Sequence, residues 1–133
     1  MVDIQIGLRS EATAIVHESM LASAMGSGSV PVYATPAMLA LMEAAAVGAI
    51  QPALTEGQSS VGVAVEIAHL APTPLGQRVR ASAEVVALEG HKVVFRVEAW
   101  DEQELIGKGT HTRYVIDVER FVQRAQSKTL RAG

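Results

Sequence analysis

At 133 residues the chain is long enough for one domain and too short for two of ordinary size. Apolar residues make up 49% of it and aromatics only 4%, so small side chains must do most of the packing. With no cysteine, disulfides, thiolate metal sites and a cysteine nucleophile are excluded, and a formal charge of −3 argues against a nucleic-acid or anionic-membrane partner. The first residues, Met-Val-Asp-Ile-Gln-Ile-Gly, carry neither a basic leader nor an apolar signal core. The longest apolar stretch, Pro36 to Ile50, is interrupted by Glu43 and falls short of the roughly twenty residues a membrane span needs. The expectation is a soluble, cytoplasmic protein with a single domain over residues 1–133.

Residues 2–17 alternate loosely and predict a first strand. Glu18 to Met25 predicts a short helix, stopped by Gly26 and Gly28. The clearest signal lies at 35–51, where Thr35 reads as an N-cap and Pro36 follows it where a helix accepts proline. Residues of high helix propensity continue from there, and Gln51-Pro52 closes the helix. The pattern then turns extended. Val61–Ile67, Gln77–Leu88, His91–Trp100 and Leu105–Val118 predict four strands, with loops at 71–76 and 101–104 and a turn at 89–91.

The short connections between these strands imply antiparallel neighbours. The helix is apolar on nearly every side, which predicts that it is buried all round. The fold class expected is therefore α+β, an antiparallel sheet wrapped around one long central helix. This is the hot-dog arrangement. Its remaining sheet face and edge need cover, so a homodimer or higher homo-oligomer is expected.

Glu43 stands out because it interrupts Ala-Met-Leu-Ala-Leu-Met with a carboxylate, and a buried carboxylate needs partners or a use. His69 ends the strand run where it meets the Pro72–Pro74 loop, a place where reactive side chains are often presented. Of the other histidines, His91 reads as a solvated turn residue and His111 as structural, since it lies mid-strand. Thr35, at the helix start, lies beside free amides and the positive end of the helix dipole. Thr35 and Glu43 are separated by about 12 Å along a continuous helix, so they cannot bond directly unless the preceding loop folds back. They flank a substrate from two sides, or a partner subunit supplies one of them.

These residues resemble the fluoroacetyl-CoA thioesterase-like branch of the hot-dog superfamily. The resemblance rests on Ala34-Thr35 leading into Leu41-Met42-Glu43, on Gly62, and on His69 followed by Thr73-Pro74. It continues through Glu89-Gly90 and Gly107-Lys108-Gly109-Thr110-His111-Thr112-Arg113 to Glu119-Arg120-Phe121. It implies a catalytic set of Thr35, Glu43 and His69. Hydrolysis of a short-chain acyl-CoA to the free acid and CoA follows, with Glu43 as nucleophile or as general base. Gly62, Tyr33 and Arg113 are then expected at the substrate, and Arg78, Arg80 and Lys108 join Arg113 as candidates for the CoA phosphates. No metal and no cofactor is implied, CoA entering as part of the substrate. The sequence departs from the specialised enzyme before Thr35, where an aromatic lid is replaced by Gly28-Ser29-Val30-Pro31-Val32-Tyr33. That departure implies another short acyl group as substrate. The alternatives are a hydratase of the same fold, whose usual early Asp-and-His pair is missing, and a non-catalytic acyl-CoA-binding or sensing module.

Overall fold

The structure, a computed structural model, describes residues 3–129. Its elements follow the order β1 (Arg9–Ile15), α1 (Ala22–Met25), α2 (Thr35–Ile50), β2 (Gln58–His69), β3 (Arg78–Glu89), β4 (Lys92–Trp100), β5 (Leu105–Asp117) and α3 (Val118–Gln126). The strands form one antiparallel sheet ordered β1-β3-β4-β5-β2, curled around α2, as the hot-dog expectation required. A single turn of 3-10 helix at Glu18–Met20 precedes α1, and Gly26 ends α1 in the left-handed conformation that glycine tolerates best.

Alternation places Val79, Ala81, Ala83 and Val85 of β3, and Val93, Phe95, Val97 and Ala99 of β4, on one buried face. Against them lie Met38, Met42, Ala45, Ala46, Ala49 and Ile50 of α2. Fully burying a valine-sized side chain contributes about 1.5–3 kcal/mol, so this layer supplies most of the driving force for folding. The alanines let the helix sit close to the sheet. At Gly48 the approach is so tight that an added Cβ would stand 2.8 Å from Ser10 Oγ.

Three expectations need correction. The helix is not buried all round, because Ala40 and Ala44 of α2 are exposed. The last four strands are not neighbours in sequence order. β2 lies at the edge beside β5, and the 70–77 loop carries the chain across to β3, which pairs with β4 and β1. Finally, the last strand does not run through Val118. Asp117 caps a new helix, α3, by accepting from the Arg120 amide at 3.0 Å.

The edge strand positions the site. β2 pairs with β5 from Gln58↔Asp117 to His69↔Gly107, with a register shift at Val63 between Gly62↔Arg113 and Ala64↔Thr112. Such an extra residue bends a strand, and bulges are frequent next to active sites. The free side of β2 carries exposed Val63 and Val65.

Candidate active site

Thr35 occupies the first helical position of α2, and Ala34 is the N-cap residue. Its hydroxyl does not cap the helix, contrary to expectation. It forms a hydrogen bond with His69 Nδ1 at 2.8 Å, joining the start of α2 to the end of β2. The other ring nitrogen, Nε2, is buried without a hydrogen-bond partner among the described residues. A charged ring would bury an unmatched N–H there, and burial pushes the His69 pKa below its ordinary 6.5. His69 therefore stays neutral at physiological pH.

This pair opens on a cavity of about 330 Å³, walled by Ser27, Val32, Tyr33, Leu70, Ala71 and Pro72. Tyr33 is its one aromatic side chain and is 2% exposed. Burial raises the phenol to about 12, so it stays protonated. The start of α2 has no side-chain cap. Pro36 lacks an N–H, which leaves the Thr35 and Ala37 amides to meet negative charge developing at the helix N-terminus.

Glu43 does not reach this cavity. It lines a second one, of about 270 Å³, with Leu39, Gly62, Val63, Ala64, Val65 and His111. Its side chain is 41% exposed, and one oxygen, Oε2, accepts from Arg113 Nη1 at 3.2 Å. The carboxylate is thus half-buried and paired, where the sequence suggested a fully enclosed one. Gly62 is the floor beneath it: an added Cβ would stand 2.5 Å from Glu43 Oε2 and 3.1 Å from His111 Cε1.

Arg113 corrects a second expectation. As a contact for CoA phosphates it would have to face solvent, yet it is 6% exposed, with its guanidinium bonded to Ser60, Glu43 and His111. Arg80 is also engaged, in an ion pair with Glu11 at 2.9 Å and over the Trp100 ring at 4.4 Å. His111, which reads as structural from its mid-strand position, is 2% exposed but lies 3.8 Å from Glu43 Oε2. The signal that finds it is the spacing His111-Thr112-Arg113. Two residues apart on a strand, both side chains face inward, opposite Val65 and Gly62.

Residues 16–119 match the family described as fluoroacetyl-CoA-specific thioesterase, FlK. The chain belongs to this family. A fluoroacetyl-CoA thioesterase of Streptantibioticus cattleyicolor is 43% identical over 98 residues, which are 74% of this chain and 70% of that protein. Among solved structures, an FlK mutant in complex with acetyl-CoA is 34% identical with a TM-score of 0.90, over 96% of this chain and 100% of that one. A hot-dog-like protein from Thermanaerovibrio acidaminovorans is 26% identical with a TM-score of 0.86, over 97% and 96% of the two chains. Membership of the FlK family makes the chain a thioesterase and agrees with the sheet-around-helix architecture.

Proposed function

We propose that this thioesterase hydrolyses a short-chain acyl-CoA, R–CO–S–CoA plus water giving R–COOH and HS–CoA, with Thr35, His69 and Glu43 around the thioester. The observation that carries the proposal is the Thr35–His69 hydrogen bond at the uncapped start of α2, on the wall of a cavity. A thioester carbonyl seated there gains negative charge during attack, and the Thr35 and Ala37 amides stabilise that charge. Glu43, held on one oxygen by Arg113, either takes a proton from the attacking water or attacks the carbonyl itself and is released by water afterwards. The CoA thiolate leaves and takes up a proton. The Ser27–Tyr33 wall has a single aromatic, which suits a small acyl group without strong selection for fluorine.

The two cavities lie at different points along β2, and the proposal includes a homodimer that unites them. Two β2 edges pairing antiparallel around Val65 would set Gly62 of one protomer across from Ala68 of the partner subunit. That position is one residue from His69 and brings Glu43 of one chain towards the Thr35–His69 pair of the other. Exposed Val63 and Val65 on an otherwise unpaired edge support this arrangement.

Thiol release measured across acetyl-, propionyl-, butyryl- and fluoroacetyl-CoA tests the activity. Turnover of short acyl-CoAs that is lost in Thr35→Ala and His69→Ala supports it. Tight acyl-CoA binding with no thiol released would replace hydrolysis with the binding-module alternative.

A further inference from the structure

Beneath Glu43 lies a set of buried polar groups that the proposed reaction does not use. Ser60 is 7% exposed, Arg113 6% and His111 2%. A buried guanidinium is tolerable only where its N–H groups are largely met, and here four of the five are. Arg113 Nε donates to Ser60 Oγ at 2.8 Å, and Nη2 donates to the Ser60 carbonyl at 2.9 Å. Nη1 donates to Glu43 Oε2 at 3.2 Å and to His111 Nε2 at 3.1 Å.

These partners dictate the state of the imidazole. The Ala64 carbonyl, 2.9 Å from His111 Nδ1, can only accept, so Nδ1 carries the proton. Arg113 can only donate, so Nε2 must offer its lone pair. Both nitrogens are then satisfied by a neutral ring in one tautomer. A second proton on Nε2 would point at the guanidinium. Burial, helped by Arg113 and opposed by the Ala64 hydrogen bond and by Glu43, holds the ring below its ordinary pKa. Phe95 stacks on the ring at 6.1 Å between centroids, which fixes its plane.

We infer that His111 is a positioning residue for this thioesterase, acting through Arg113. By accepting one Nη1 hydrogen it fixes the guanidinium so that the other is held on Glu43 Oε2. Glu43 Oε1, which has no hydrogen-bond partner among the described residues, is left as the reacting oxygen. The inference rests on the hydrolysis proposed above.

Two variants separate positioning from space-filling. His111→Phe keeps a flat ring against Phe95 and removes the acceptor. His111→Gln keeps a carbonyl that can accept from Arg113. With acetyl-CoA as substrate, H111F should lose between about ten- and a hundredfold in kcat with KM within about twofold, the scale of a misplaced reacting group. H111Q should recover most of that loss, with thermal melting confirming that both variants fold. Equal losses in the two variants, or an H111F enzyme with wild-type kcat, would overturn the inference. Nitrogen-15 spectra of the wild-type imidazoles, with His111 assigned by its absence from H111Q, give a readout independent of activity. A neutral ring protonated on Nδ1 is expected, and an Nε2–H tautomer or an imidazolium at neutral pH overturns it. A wild-type protein that releases thiol from no acyl-CoA would instead remove the hydrolysis proposal, and the tautomer would still decide the His111 arrangement.

Discussion

At the scale of single residues, Glu43 and Gly62 give the sharpest expectations. Glu43→Gln keeps the size and helix propensity of the side chain and removes its charge. Turnover should fall by about two orders of magnitude or more with the fold intact, as expected on losing an acid–base group or nucleophile. Retained activity, checked by thiol release on acetyl-CoA, would exclude the carboxylate from the reaction. Gly62→Ala should also depress kcat strongly, because the new Cβ would stand 2.5 Å from Glu43 Oε2 and must push the carboxylate aside. The histidines set the pH response of stability. His69 and His111 are both held below their ordinary 6.5, chiefly by burial. Below that pH the unfolded chain binds protons that the native rings resist, so their stabilising contribution is complete above about 6.5 and is lost as pH falls. The melting temperature should therefore drop between pH 7 and 5, and drop less steeply in H111F. Thr35, Glu43 and His69 stand out in the sequence because each interrupts a local pattern. The burial of His111 and Arg113 was not legible, since on a strand a buried polar pair looks the same in sequence as a solvated one.

At the scale of elements, the sheet and the long helix were legible from periodicity, because period-two runs and a 3.6-residue apolar pattern are each imposed by geometry. Strand order was not. β2 goes to the far edge beside β5, a long-range pairing that neither of its flanking loops announces. The Val63 register shift was hidden for a related reason. Gly62 and His69 are seven residues apart, and strict alternation would put them on opposite faces. The extra residue places both on the inner face, opposite Arg113 and Gly107. The helix α3 escaped because Asp117 ends a strand and starts a helix at once. The β2–β5 seam makes its own prediction at Gly109, where an added Cβ would collide with the Glu66 carbonyl and crowd the Ile67 backbone. Gly109→Ala should cost about 1–3 kcal/mol, as overpacking does, and denaturant unfolding measures it. An unchanged midpoint would show that the two strands have slack between them.

At the scale of the whole molecule, the exposed valines of β2 and the exposed Ala40 and Ala44 of α2 are surfaces a lone chain leaves in water. Light scattering at micromolar concentration should give about twice the chain mass, and Val65→Lys, which puts charge on the free edge, should shift the protein towards monomer and lower its activity. A wild-type monomer that is fully active would refute the shared site. The separation of Glu43 from the Thr35–His69 pair also bears on genetics. If each centre draws on two chains, an E43Q subunit paired with an H69A subunit contains one centre with both defects and one with none. Two inactive proteins, unfolded together and refolded in equal amounts, would then recover about a quarter of wild-type activity, since half the dimers are mixed and each has one sound centre of two. Two alleles that each abolish the enzyme would complement each other in one cell, whereas a centre contained within a single chain allows no such rescue.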